Sequence, residues 1–456
     1  MNRSPLITDT LTLARAVSAR VKEAGGRAYL VGGYVRDVLL GQKSKDIDLE
    51  VYGLAPARLK ELLCEFGEPY TRGAAFGVFG LMHSDIDIAM PRKEKAVGGG
   101  HKDFDVTVDP FLPVEQACRR RDFTVNALLL DPLTGEVTDC VGGRADLSKR
   151  VLRHVCADSF PEDPLRVYRA ARFSAVLGFS IAEETVALCR GIETGTLSRE
   201  RVMEETARAL MKSERPSVYF TCLRSMGQLH SFFPELEALI GAGQNPQYHP
   251  EGDVFTHTMA VLDAGARLKD TATEPLFFML SCLMHDLGKP ASAVTAPDGT
   301  ISCPEHGPLG VPVAERALER LTNDKKLTAY VLNMVRYHMA PLFLYRKNAP
   351  VSETRRLLDL SVAPEDLLIL TKADGLGKGS PQPPEKERFW EARYADYREF
   401  LRFPRVTGAD LIAAGIAPGT GMGRLLDETY EWALQGIPRE EALARALALH
   451  DRETNK

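Results

Sequence analysis

Two hydrophobic periods divide the chain. From Arg27 to about Val155, strand-like and helix-like pieces alternate. "RAYLV" reads as a strand, "YVRDVLLG" as a helix stopped by Gly41, and "DIDLEVY" as a strand with apolar residues at every second position. "PARLKELLCEFG" predicts a helix; "FGVFGLM", "DIDIAM" and "DFDVTVD" predict further strands. From about Asp163 onward apolar residues recur at three and four, and nearly everything reads as helix. Breaker-rich stretches at 241–253 and 377–387 look like joints. The expectation is an α+β chain: a head with a mixed sheet at 1–155, a helical neck at 156–245, a helical third unit at 246–380 and a helical tail at 381–456.

Composition narrows the class. The 456 residues are 44% hydrophobic and 26% charged, which is ordinary for a soluble globular protein. No apolar run is long enough to span a bilayer, and the first residues lack a signal-peptide core, so a cytoplasmic location is expected. The eight cysteines show no C-x-x-C spacing, which argues against a zinc ribbon or a disulfide framework. A net charge of -5 does not announce a nucleic-acid binder, although arginines cluster in "CRRRDF" and "PLRVYRAARF".

The densest chemistry lies in "VGGYVRDVLLGQKSKDIDLEVYG". In a strand, Asp46 and Asp48 project to one face while Ile47 and Leu49 face the core. Paired carboxylates repel unless a cation sits between them, and Mg2+ shares its coordination with phosphates. Asp87, or Asp85, in "SDIDIAM" offers a third carboxylate. Gly32-Gly33, between strand and helix, lets backbone N–H groups approach a phosphate, with Arg36 one turn on. A plain glycine turn beside a surface carboxylate pair is the bland reading; the order and closeness of the two favour the chemical one.

Two further stretches extend the constellation. In "RRRDFTVNALLLD", Arg121 suits a triphosphate, and Asp122 or Asn126 a ribose hydroxyl. In "EDPLRVYRAARF", Asp163 before Pro164 has the form of a helix cap. Yet Asp163, Arg166 and Arg169 fall three apart, on one face. An aspartate accepts from cytosine N4 or adenine N6 while an arginine donates to the adjacent ring acceptor; guanine and uracil present a carbonyl at that edge. In the third unit, His285-Asp286 ends an apolar helix, with His257 upstream and Asp374 downstream. That donor set suits Ni, Mn, Fe, Co or Zn.

The ordered motifs "VGGYVRD", "KDIDLEV", "IDIAMPRKE", "RRDFTVNAL", "VGGRADL" and "EDPLRVYRAARF" resemble the class II tRNA nucleotidyltransferase and bacterial poly(A) polymerase family. That resemblance implies a DNA polymerase β-like head. Asp46, Asp48 and Asp87 would be catalytic, with Mg2+ on the first two. Gly32, Gly33, Arg36, Asp37, Arg121, Asp122, Asn126, Asp163, Arg166 and Arg169 would bind nucleotide, with Asp163 and Arg166 acting as a template made of amino acids. The third unit resembles the HD phosphohydrolase superfamily. There His257, His285, Asp286 and Asp374 would bind one divalent ion for phosphoester hydrolysis, and His306 and His338 would complete a second site. A domain kept only as scaffold is the alternative.

The tail resembles that of HD-containing tRNA nucleotidyltransferases, so the implied partners are tRNA, CTP and ATP, with no membrane and no protein partner. The Gly-rich, basic loop in "MPRKEKAVGGGHKDFD" favours full CCA addition over CC addition; an A-adding enzyme or a poly(A) polymerase is the runner-up. A metal-dependent phosphohydrolase with a nucleotide-binding head, and a non-catalytic RNA-binding protein, are disfavoured by the presence of Asp46, Asp48, Arg121, Asp163 and Arg166 together.

Overall fold

The computed structural model describes residues 9–43, 47–71, 77–96, 104–379 and 383–454. Its contacts gather into two units. One runs to Ala209 and adds Val218–Ser231; the other takes Leu210–Ser217 and the chain from Phe232. The head and most of the expected neck therefore form one compact body.

That first unit is built on a mixed seven-stranded sheet. Its strands are β1 (Arg27–Val31), β2 (Ile47–Tyr52), β3 (Pro69–Thr71), β4 (Val78–Leu81), β5 (Ile86–Ala89), β8 (Leu129–Leu130) and β9 (Val137–Thr138), in the order β3-β4-β5-β2-β1-β8-β9. Every neighbouring pair is antiparallel except β2–β5. Alternation decides the faces as expected: Leu49, Val51, Ile86 and Ile88 are fully buried, while Asp48, between Ile47 and Leu49, is exposed. The Gly33–Leu39 helix follows β1 and ends before Gly41, at φ 71°. A helix at Thr10–Glu23, capped by Asp9, packs on β1 and β2; the reading from Arg27 onward missed it.

The basic loop departs from expectation in its first arm only, since "DFDVTVD" already predicts a strand in the second. Its arms pair as an antiparallel hairpin, β6 (Arg92–Ala96) with β7 (Phe104–Val108); the intervening residues lie outside the described ones, as does Asp46.

The second unit is helical apart from a small ribbon, Val294–Thr295 with Ile301–Ser302. The Val254–Ala266 helix packs on Pro364–Gly377 and Pro275–Met284, and His306–Glu319 packs on Lys325–Tyr337. No described helix is long and apolar enough to cross a membrane, and all eight cysteines are free.

Candidate functional sites

In the head, parallel pairing of β2 and β5 sets Asp48 level with Asp87. Antiparallel pairing with β1 brings Val31, the residue before the glycine turn, opposite Asp48. Gly32 has φ 70°, which favours glycine, and a Cβ there would stand 3.5 Å from Asp48 Oδ2. Val31, Asp48 and Asp87 border a cleft of about 340 Å3, also lined by Glu50, Arg92, Arg120 and Arg121. Asp85 is exposed, just ahead of β5.

Glu50, two residues beyond Asp48 on the same strand, was not singled out from sequence, although spacing alone marks it. It accepts from Arg121 Nη2 and Tyr52 Oη, each at 2.9 Å. Burial would push the Arg121 pKa down, but Glu50 more than offsets this, and the guanidinium stays charged.

A second group begins with Asp122, which follows Arg121 in the chain. Asp122 is buried; its Oδ2 accepts from Arg169 Nε and Nη2 at 2.8 and 2.6 Å, and its Oδ1 from Asn126 Nδ2 at 3.1 Å and the Phe123 N–H at 2.8 Å. Burial alone would raise the Asp122 pKa, but Arg169 and these hydrogen bonds hold it below the usual carboxylate range. Asn126 Oδ1 accepts in turn from Arg36 Nη1 at 2.8 Å, and Arg36 also donates to Asp37 Oδ1. Arg36, Arg169 and Arg172 all lie within 5.4 Å of the Phe173 ring centroid. Arg36, Asp37, Asp122, Asn126 and Arg169 thus form one polar network.

Asp163 is extended at φ -119°, two residues before the Leu165–Leu177 helix, with Pro164 as the N-cap between them; its Oδ1 accepts from the Leu165 N–H at 3.2 Å. The expected N-cap thus shifts by one residue to Pro164, and Asp163 stands just outside it while still bonding the first helical N–H. Its carboxylate is held by Arg201, at 3.0 Å, rather than by Arg166. Arg166 donates to the Ser159 carbonyl at 2.6 Å and the Arg120 carbonyl at 2.9 Å, tying the helix start to the arginine run. Arg201 lies 38 residues from Asp163, and no local spacing announces it.

In the second unit the predicted histidines and aspartates converge. Asp286, 2% exposed, is central. Its Oδ2 is 3.1 Å from His285 Nε2 and 3.4 Å from His257 Nε2; its Oδ1 is 3.2 Å from His306 Nε2 and 3.7 Å from His338 Nε2. Asp374 Oδ1 is 3.0 Å from His257 Nε2. Among the described residues the candidate ligand atoms form three sets: His257 with His285 and Asp374, Asp286 with His306 and His338, and His249 with Glu251 and His257.

The donor set fits divalent ions. Nδ1 of His285, His306 and His338 lies 2.7–2.9 Å from the carbonyl three residues upstream (Cys282, Cys303, Val335), which directs each Nε2 lone pair inward. His306 and His338 Nε2 stand 3.1 Å apart, about the separation of two nitrogens each ~2.1 Å from a shared ion at a right angle. His257 Nε2, His285 Nε2 and Asp286 Oδ2 are buried, and despite their short approaches none has hydrogen-bond alignment. Buried polar atoms left this way are costly unless something else satisfies them.

The cluster opens on a cavity of about 530 Å3, lined in part by His249, Asp286, Lys289, Arg336, Asp374 and Lys378. Lys289 Nζ is 2.7 Å from Asp286 Oδ2, and Lys378 Nζ is 2.9 Å from Asp374 Oδ2. Burial opposes charge on both aspartates, yet His285 and Lys289 beside Asp286, and Lys378 and His257 beside Asp374, hold them well below the usual range. Burial pushes His338 down to about 4, so it is neutral at pH 7 and free to donate a lone pair. The lysines sit at i+3 and i+4 from the aspartates, a helical spacing legible in sequence. Glu251, against His257, carries no such signal.

Comparison with known proteins agrees with this geometry. Residues 28–153 match the Poly A polymerase head domain, and residues 254–377 match the HD domain. The chain is 35% identical over 425 residues to the multifunctional CCA protein of Halorhodospira halophila, covering 91% of this chain and 98% of that one. It is 38% identical over 386 residues to the multifunctional CCA protein of Xanthomonas campestris pv. campestris, covering 81% and 91%. Its fold is similar to the Thermotoga maritima CCA-adding enzyme complexed with tRNA (TM-score 0.62, 21% identity, 96% and 94% coverage). It is also similar to the Bacillus stearothermophilus CCA-adding enzyme in complex with CTP (TM-score 0.63, 22% identity, 99% and 100% coverage).

Proposed function

The chain belongs to the multifunctional CCA protein family, and on that premise we propose that it adds CMP and AMP from CTP and ATP to the 3′ end of tRNA, completing or repairing the CCA terminus. The observation that carries this reading is the level pairing of Asp48 and Asp87 beside the Gly32 turn, in a cleft that also holds Arg121.

Hard carboxylate oxygens on adjacent strands suit Mg2+, with phosphate oxygens completing its coordination. Asp48 and Asp87, with Asp46, would hold it; what a bound Mg2+ supplies is charge neutralisation at the α-phosphate and at the departing pyrophosphate. The side chains do the positioning. Arg121, kept charged by Glu50, retains donors for the triphosphate, and Arg120 and Arg92 add positive charge to the cleft walls. The Asp122 network fixes Arg36 and Asn126 behind the nucleotide. Asp163 and Arg166 would read the base, with Arg201 orienting the aspartate. The division into head 1–155, neck 156–245, HD segment 246–380 and tail 381–456 remains our functional partition.

The test is an extension assay with Mg2+, tRNA lacking CCA, tRNA ending in C and tRNA ending in CC, each with single NTPs and with CTP plus ATP. Three additions stopping at CCA are expected, and Asp48→Ala, at an exposed position, should abolish them without unfolding the protein. Stopping after CC, adding only A, or running into a long A tail would replace this reading with a named alternative; near-normal turnover by Asp48→Ala would refute the metal assignment.

A second reading concerns the HD segment. We propose that it holds divalent transition metal ions (Ni, Mn, Fe, Co or Zn) and hydrolyses phosphoesters. The buried, unaligned His257, His285 and Asp286 atoms favour it. Lys289, Lys378 and Arg336 give the cavity positive charge suited to a phosphate.

A further inference from the structure

The histidines of the HD cluster are not oriented alike. For His285, His306 and His338 the Nδ1 partner is a backbone carbonyl three residues earlier. His257 lies in the first turns of the Val254–Ala266 helix, and its Nδ1 instead faces a carboxylate, Glu251 Oε1, at 2.7 Å. The same oxygen accepts from His249 Nδ1 at 2.9 Å, and the His249 ring stands edge-on to the His257 ring with centroids 4.7 Å apart. Glu251 and His249 therefore close over the outer side of His257, while its Nε2 faces Asp374 and Asp286.

We propose that Glu251 is a positioning residue for the HD metal centre: its carboxylate holds the Nδ1–H tautomer of His257 and turns the Nε2 lone pair onto the ion. The inference rests on the reading that this cluster binds a divalent metal. A carboxylate partner both fixes the ring and raises the donor strength of its other nitrogen, more than a neutral carbonyl does. His257 is then the strongest neutral donor of the four. The Glu251–His257 pair is close but not in line, since His257 Nδ1 lies 2.7 Å from Glu251 Oε1 and still lacks hydrogen-bond alignment; drawing Nε2 onto an ion is the ring movement that would bring the pair into line.

The test uses the full chain stripped of metal and titrated with Mn2+ by calorimetry, comparing wild type, Glu251→Gln and Glu251→Ala. Nitrogen-15 NMR of the histidine rings reports the tautomer on the metal-free protein. Removing a partner of this kind costs about 10–100-fold in metal affinity. The expected result is that loss in Glu251→Ala with a shift of His257 away from the Nδ1–H form. Glu251→Gln, whose amide oxygen still accepts, should recover much of the affinity and keep the tautomer. CCA extension, which uses the head, checks that each variant is folded. Unchanged affinity in Glu251→Ala overturns the inference. So does an equal loss in both variants with the tautomer unchanged, because that pattern marks Glu251 as a ligand itself. A wild-type protein that binds no Mn2+ overturns the metal reading beneath it.

Discussion

Gly288 follows the His285-Asp286 pair by two residues, and a single methyl group there should remove one metal site while leaving its neighbour. Its φ of -80° is ordinary for alanine, so the objection is purely steric. A Cβ at Gly288 would stand 2.0 Å from the His306 carbonyl oxygen, 2.6 Å from Gly310 N and 2.8 Å from Gly310 Cα. All three are backbone atoms of the His306–Glu319 helix and cannot rotate away. Restoring an ordinary contact of about 3.4 Å to the carbonyl requires the start of that helix to retreat by about 1.4 Å. Metal–ligand distances tolerate only about 0.2 Å. His306 would thus leave the set it forms with Asp286 and His338, whereas His257, His285 and Asp374 lie on other elements. We expect Gly288→Ala to bind one ion where wild type binds two, with the second site weakened at least about 100-fold, or about 2.8 kcal/mol. Overpacking should also lower stability by about 1–3 kcal/mol. Calorimetric titration with Mn2+ and elemental analysis after gel filtration measure the affinity and the number of ions, and urea unfolding measures the stability. Two ions bound at wild-type affinity would refute the reasoning.

The two chemistries should separate. His285→Ala should lose phosphoester hydrolysis and keep CCA extension; loss of both, with the fold intact by circular dichroism, would contradict independent sites. Asp122→Asn should destabilise the head by about 2–3 kcal/mol, below the cost of breaking a fully buried pair because Arg169 is 31% exposed. Since the folded Asp122 pKa lies below its ordinary 3.8, this stabilisation is present above that pH and is lost as pH falls through the lowered folded value. Both tryptophans, Trp390 and Trp432, belong to the second unit. Urea unfolding should therefore show the shift by circular dichroism and not by tryptophan fluorescence, and the shift should vanish in acid.

Much of the head was legible because alternation is a local signal. "IDLEV" and "IDIA" each fix which side chains face out, and strands form at Ile47–Tyr52 and Ile86–Ala89. What alternation cannot give is the partner: nothing in either segment says that they run parallel with Asp48 level with Asp87. The same limit hid the arginine partners. Arg169 lies 47 residues from Asp122 and Arg201 38 from Asp163, so the spacing of three along the helix revealed the shared face but not what each group touches. The HD cluster was the reverse case. Its histidine and aspartate types are chemically conspicuous, so the side chains that the fold gathers around Asp286 could be named from segments more than a hundred residues apart. Glu251 was not, because a glutamate in a polar loop looks like any solvated charge until the fold turns it onto His257.

The lone parallel pair in the sheet also bears on how such a chain can diverge. β5 is gripped on both sides, by β2 and by β4, so residues added between Leu63 and Pro69 lengthen a connection and leave Asp87 in place. One residue added inside Ile86–Ala89 instead inverts every later side chain, sending Ile88 outward and the acidic position into the core. Among descendants of this sequence, gaps should accumulate before the strand and be purged within it, a reading frame of one residue enforced by hydrogen bonds rather than by codons.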